Sequence, residues 1–278
     1  MSDLVITSPA NARVKALSAL RRRRVREAEG VTLVEGYDEL RLAVEAGVRP
    51  RQLFTCPELM HDPDAQRGLV DEVVALGAES LRLSRPVFEK VAYREGPDGF
   101  LAVVPGVDRE LAALELPARP LLLLAEGVEK PGNLGAMLRT AEAAGADAVI
   151  AVDPQTDWGN PNVVRASKGT VFAVPVASAT LADTLAWLAE HEVQLVATTP
   201  DTTTAHTAVD LTGGVGIAVG TEKHGLTSGL LEAADARVRI PMHGKVNSLN
   251  VATSAAIVLY EAERQRTSEG GSRTPAAD

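Results

Sequence analysis

Cys56 is the chain's one cysteine, so neither an internal disulfide nor a cysteine zinc site can form within it. Histidine is almost as scarce, five in 278 residues, and no two stand at the spacing that sets ligands on one helix face. A transition-metal enzyme is not expected, and no residue is assigned to a metal. Aromatic residues make up 3%, which leaves core building to Val, Leu, Ile and Ala. No apolar run is long enough to span a bilayer, and the start lacks the charged-then-apolar pattern of a signal peptide. The expectation is a cytoplasmic protein with no membrane partner. Two glycine motifs are missing as well. Without G-x-G-x-x-G after a strand there is no dinucleotide fingerprint, and without G-x-x-x-x-G-K-[ST] there is no P-loop.

What is present suits two domains. The length of 278 residues and a hydrophobic fraction of 45% can fill two cores. The net charge of −9 and the pI near 5.2 speak against a nucleic-acid binder when taken alone. The distribution speaks for one. Residues 1–30 hold seven cationic side chains, among them Arg21, Arg22, Arg23, Arg24 and Arg26, against three acidic ones. A local basic patch is what phosphate contact requires. A solvated helix face is the plain alternative.

Ser8-Pro9 reads as a cap and first helical position, opening a helix that runs loosely to Gly30. Alternation then sets in. Strands are expected at Val31–Glu35, Gln52–Cys56, Ser80–Leu83 and Phe100–Val104, with helices at Tyr37–Ala46, Ala65–Leu76 and Pro86–Tyr93. We take 1–105 as one small α/β domain, 106–119 as a linker, 120–265 as a second domain and 266–278 as a disordered tail. In the second domain the apolar runs Leu121–Ala125, Ala148–Val152, Gln194–Thr198, Gly216–Gly220 and Arg237–Ile240 read as strands, with helices starting near Leu134, Leu181, Leu226 and Ser248. Short apolar runs separated by helices imply a mostly parallel sheet buried on both faces.

Three segments of this second domain stand where a strand ends, the place where open parallel sheets gather ligands. The first runs from Glu126 through Lys-Pro-Gly-Asn133-Leu-Gly to Arg139. A helix cap and a surface arginine explain it equally well on local grounds. The second is Gly220-Thr-Glu222-Lys-His-Gly225, a carboxylate in a glycine-bounded turn of common composition. The third is Ile240-Pro-Met-His243-Gly-Lys-Val-Asn-Ser248-Leu249-Asn250, a polar loop entering a helix of small residues. Ser248 and Asn250 suit a helix start, and their free valences suit a ligand. His243 has no visible partner and reads as a loop residue.

In this order the three segments resemble the signature motifs of the SpoU (TrmH-type) branch of the SPOUT methyltransferases, over about Leu121 to Arg264. The first domain, with Ser8-Pro-Ala-Asn11, the arginine run and Val34-Glu35-Gly36, resembles the substrate-binding module placed ahead of this catalytic domain. The resemblance implies a C-terminal parallel-sheet domain with a deep trefoil knot, a homodimer, S-adenosylmethionine as methyl donor and an RNA ribose 2′-hydroxyl as acceptor. Ribosomal RNA, 23S in particular, is favoured over transfer RNA because of the extra N-terminal domain. Housekeeping and antibiotic-resistance roles stay open. Carried over residue by residue, Asn133, Arg139, Glu222, Ser248 and Asn250 fall in the catalytic set. Thr198, Gly220, Ile240 and Leu249 fall around the cofactor. Arg165, Ser167 and Lys168 fall in a substrate-side loop, where Arg165 and Lys168 join Arg21–Arg24 as RNA contacts. Arg139 is the expected activator of the hydroxyl. A guanidinium stays protonated, so it acts either by stabilising the forming alkoxide or as a base whose pKa falls on burial beside the cofactor. Two further readings are a non-catalytic RNA-binding ribosome-assembly protein and an unrelated nucleotide-binding α/β enzyme. The intact motif residues oppose the first, and the missing phosphate-binding glycine motifs oppose the second.

Overall fold

The structure is a computed structural model that describes residues 5–246 and 248–270. The chain forms two compact units: 1–108 with 157–173, and 109–156 with 174–278. The chain thus leaves the second unit after 156 and returns to it at 174. Residues 157–173, read from sequence as part of the second domain, pack with the first unit.

The first unit holds β1 (Val5–Ile6), α1 (Ala12–Ala19), α2 (Arg23–Glu29), β2 (Val31–Glu35), α3 (Tyr37–Glu45), β3 (Gln52–Thr55), α4 (Arg67–Ala75), β4 (Glu79–Leu83), α5 (Arg85–Val91) and β5 (Phe100–Pro105). Its sheet runs β1-β4-β3-β5-β2. The β1–β4 and β3–β4 pairs are parallel, and β5 is antiparallel to both β3 and β2. Phe54, Phe88, Leu33 and Leu101 fill the core with almost no exposure. Each such side chain contributes about 1.5–3 kcal/mol by leaving water. The single helix expected between Ser8 and Gly30 is two. Asn11, not Ser8, caps the first, its Oδ1 accepting from the Arg13 amide at 2.9 Å. The second ends at Gly30, which takes the left-handed conformation (φ 59°) that closes a helix most easily when no Cβ is present.

The chain passes into the second unit through the two-residue β6 (Asp108–Arg109). There follow β7 (Leu121–Glu126), α6 (Pro131–Ala143) and β8 (Ala148–Val152), then, back in the first unit, α7 (Pro161–Ala166). The second unit resumes with β9 (Val176–Ala179), α8 (Leu181–Glu190), β10 (Gln194–Thr198), β11 (Val215–Val219), α9 (Ser228–Ala233), β12 (Ala236–Val238) and α10 (Val251–Gly270). The sheet order is β12-β10-β11-β7-β8-β9-β6. Every pair from β12 to β9 is parallel. All residues of β7, β8 and β11 are buried, as a sheet covered on both faces demands. Helix α10 packs on α6.

The register sets up the site. Ala197 pairs with Ala218, and Val219 with Ala125. The carboxyl ends of β10, β11 and β7 are therefore level, and their loops emerge side by side. The tail expected from Arg266 is, through Gly270, the end of α10. Arg266 donates to the carbonyls of Leu211, Arg119, Pro120 and Gly213, anchoring the helix. Positions 271–278 of the expected tail lie outside the described residues. No described helix is long and apolar enough to cross a membrane.

Candidate active site

Pro131 opens α6 at its first turn, and the carbonyl of Lys130 accepts the amides of Asn133 and Leu134. This places Lys130 and Asn133 on the first turn of one helix, just past the tip of β7. Beside them, β11 ends at Gly220. A Cβ there would collide with the backbone of Gly225, so glycine is obligatory for so tight a turn. The turn is closed by paired backbone bonds between Thr221 and Gly225 (3.0 and 2.9 Å) and by Thr221 Oγ1, which accepts the His224 amide. Glu222 stands at its tip. Asn250 immediately precedes α10, and its Oδ1 accepts the amides of Ala252 (3.0 Å) and Thr253 (3.4 Å). It is a helix cap.

These three corners meet on one carboxylate. Glu222 Oε1 accepts from Asn133 Nδ2 at 3.1 Å and from Asn250 Nδ2 at 2.8 Å. Lys130 Nζ pairs with Oε2. Asn250 Nδ2 also donates to Asn133 Oδ1 at 3.1 Å. The hydrogen bond from Lys130, followed by that from Asn133, holds the Glu222 carboxyl below its ordinary value, so the group is an anion at neutral pH. An anion only accepts, so both amides must turn their NH2 groups toward it.

The valences can be counted. Both Nδ2 hydrogens of Asn250 are committed, and its oxygen already accepts twice. Asn133 keeps one N–H and one lone pair free. Of the two asparagines expected to meet a ligand, Asn133 retains the means.

Against this corner opens a cavity of about 500 Å³. Thr198, Gly220, Glu222, Ile240, Ser248 and Leu249 all line it. So do Met242 and Asp201, which sequence reasoning did not single out. Thr198 Oγ1 is buried without a hydrogen-bond partner among the described residues. Such a group costs about 1–3 kcal/mol until something pairs with it. Behind the site the buried Glu126, at the tip of β7, accepts from the Thr227 amide (2.7 Å) and hydroxyl (2.6 Å), fixing the start of α9. Arg139 is not brought in. It lies on the exposed side of α6, its side chain forms no hydrogen bond or ion pair among the described residues, and it does not line the cavity. Six residues along a helix is a rotation of about 240° from Asn133, which explains the separation.

The chain matches the family described as SpoU rRNA Methylase over residues 120–260 and an MRM3-like substrate binding domain over 11–102. The chain belongs to the SpoU rRNA methylase family. The enzyme class follows: an RNA 2′-O-ribose methyltransferase using S-adenosylmethionine. The SpoU chain is 29% identical to the 23S rRNA (guanosine(2553)-2′-O)-methyltransferase RlmP of Bacillus subtilis, covering 92% of this chain and 97% of that protein. It is 35% identical to the 23S rRNA (guanosine-2′-O-)-methyltransferase RlmB of Coxiella burnetii, covering 74% and 84%. A solved AdoMet-bound rRNA methyltransferase from Sinorhizobium meliloti superposes with a TM-score of 0.85 at 30% identity, covering 94% of this chain and 97% of that one.

The expected RNA contacts of this SpoU chain lie in the first unit and fare unevenly. Arg21 Nη2 donates to the carbonyls of Lys90, Val91 and Ala92 at the end of α5, and its guanidinium lies 5.0 Å from the Tyr93 ring centroid. Arg23 pairs with Glu27 one turn on. Arg26 is 4% exposed and clasps both oxygens of Asp157 at 2.8 and 2.9 Å. Arg22 and Arg24 are exposed, and their side chains make no hydrogen bond or ion pair among the described residues. Arg165 is exposed and donates to Asn162, and Lys168 is exposed in a left-handed conformation (φ 52°). Ser167 is fully buried, its hydroxyl spent on the Val164 carbonyl. Its place in a substrate-side loop is structural.

Proposed function

We propose that this enzyme methylates the 2′-hydroxyl of a 23S ribosomal RNA nucleotide, with Asn133 the hydrogen-bonding group nearest the reaction and the adjoining cavity holding the methyl donor. The observation that carries this reading is the convergence of Asn133, Glu222 and Asn250, from three distant segments, at the rim of the cavity that Thr198, Gly220, Ile240 and Leu249 line. The cavity suits the donor. Thr198 offers an unpaired buried hydroxyl to a polar edge, Gly220 leaves backbone bare, and Ile240 and Leu249 offer apolar contact. S-adenosylmethionine supplies, when bound, a methyl group made electrophilic by its sulfonium. The protein's part is to exclude water and hold the hydroxyl in line. Asn133's free N–H and lone pair are placed to orient that hydroxyl.

Arg139, exposed and with no side-chain partner among the described residues, is free to grip the RNA phosphate and stabilise the developing alkoxide while the hydroxyl proton passes to solvent water and methyl transfer leaves the donor's sulfonium a neutral thioether. Arg139→Ala is expected to keep S-adenosylmethionine affinity, read by calorimetry, and to lose about 10²–10³ in turnover. A folded variant that turns over normally removes Arg139 from the mechanism. Arg22, Arg24, Arg165 and Lys168 supply phosphate contacts. A second copy of the chain belongs to this reading, as does a trefoil knot at the C-terminal side of the sheet. The exposed Tyr260 on α10 supports the pairing, and light scattering of the purified chain tests it. Such an enzyme works in the cytoplasm, where ribosomal RNA is found. Mapping 2′-O-methyl sites in 23S rRNA from cells with and without the protein tests the whole.

A further inference from the structure

Lys130 has no place in the motif assignments above. It precedes a proline, its side chain is 68% exposed, and in sequence it passes for a surface lysine. Yet its ammonium is one of three donors that converge on Glu222, and the one that carries charge. The carboxylate divides its two oxygens unequally. Oε2 serves Lys130, and Oε1 serves both asparagines. We propose that Lys130 is a positioning residue for methyl transfer: by engaging Glu222 Oε2 it turns Oε1 toward Asn133 and Asn250, and so fixes the orientation in which Asn133 presents its remaining N–H and lone pair. The proposal rests on the reading of this corner as the methylation site.

The argument is one of rotational freedom. Glu222 stands on a turn tip whose ends are joined by the Thr221–Gly225 backbone pair, and its side chain is held by the three donors alone. Without an opposing contact on Oε2 its carboxylate is free to rotate and to share its oxygens among the two amides and water. Asn133 then loses the fixed acceptor that decides which way its amide faces. The chain of contacts Lys130–Glu222–Asn133–Asn250 ties the start of α6, the turn after β11 and the start of α10 through side chains alone. Lys130 and Asn133 share one helical turn, so the lysine steers an asparagine three residues away through a carboxylate on another loop. A misplacement of about 1 Å in a positioning contact lowers turnover by about a hundredfold.

The test uses the full-length protein, S-adenosylmethionine labelled in the methyl group, and transcribed 23S rRNA. Lys130→Met is expected to lower kcat by about tenfold to a hundredfold, with KM for RNA and calorimetric affinity for S-adenosylmethionine within about twofold of wild type. Lys130→Arg, which keeps a cation within reach of Oε2, restores most of kcat. Glu222→Gln loses as much as Lys130→Met, and the double variant loses no more than either single one. Three outcomes overturn the proposal: unchanged kcat in Lys130→Met, additive losses in the double variant, or a loss carried by KM, which makes the lysine an ordinary RNA contact. If Lys130→Met misfolds, Lys130→Gln and Lys130→Arg give the same comparison. A wild-type protein that methylates no RNA refutes the reading of the site, whereas an active wild type with an indifferent Lys130 refutes this inference alone.

Discussion

The corner around Glu222 and the arginine run that leads into α2 are both clusters, but of opposite kinds. Around Glu222, residues 89 and 28 positions apart in sequence meet on a single carboxylate. In the run, neighbours in sequence part company in space. Arg21 and Arg22 precede α2, and within it each successive residue turns by about 100°, so the five arginines do not share a face. Arg26 faces inward to Asp157, Arg21 closes the end of α5, Arg23 pairs along its own helix, and Arg22 and Arg24 stay in solvent. Density of charge along a chain is thus a poor measure of density on a surface. Dispersed polar residues gathered by strand register make the stronger site.

The comparison breaks most readily at Arg26. Its Nη1 holds the Leu20 and Arg21 carbonyls where α1 gives way to α2, while Nη2 clasps Asp157. Asp157→Asn leaves a buried guanidinium without its counter-charge, and such loss costs about 3–5 kcal/mol. Urea unfolding followed by a probe in the first unit, such as Tyr93 fluorescence, is expected to show that loss, with S-adenosylmethionine affinity of the folded protein unchanged. An unshifted midpoint means that Arg26 is a solvated cation after all and that the run is more uniform than its contacts indicate.

A smaller effect sharpens the other half of the run. Arg22→Glu with Arg24→Glu leaves every described hydrogen bond intact. It is expected to weaken RNA binding and to flatten the plot of log affinity against log salt by about 0.7–0.9 per lost phosphate contact. Filter binding at several salt concentrations reads both. Unchanged affinity assigns the whole run to structure.

How much of this was legible beforehand depended on where the information sits. Strands Val31–Glu35, Ala148–Val152 and Gln194–Thr198 lie where the apolar runs put them, because a strand buried along all or most of its length writes its burial into consecutive residues. Strand Val176–Ala179 was missed, its Val-Ala-Ser-Ala being small and only half buried. The break between α1 and α2 was missed because it depends on Arg26 folding back, a tertiary contact. The same holds for 157–173, whose local pattern does not reveal that Trp158 and Asp157 pack with the first unit. Arg266, discounted as tail, gathers four carbonyls that no sequence pattern announces. At the site, the residue types were recognisable from the motifs. Their division of labour was not, since the engagement of both Asn250 amide hydrogens within the protein emerges only once each has been traced.

Arg21 gives the smallest effect and the finest cut. It sits in the same exposed run as Arg22 and Arg24, yet its guanidinium answers the carbonyls that α5 leaves unpaired at Lys90, Val91 and Ala92, and it covers the Tyr93 ring. A cation at a helix C-terminus contributes about 0.3–1 kcal/mol, and one over an aromatic ring about 0.5–1 kcal/mol or somewhat more where, as at Tyr93, the ring is partly buried. Arg21→Ala is therefore expected to destabilise the protein by about 1 kcal/mol and to change the salt dependence of RNA binding by less than Arg24→Ala does. Were the order reversed, with Arg21 carrying the larger salt slope and no stability, its contacts to α5 would have to give way whenever RNA arrives.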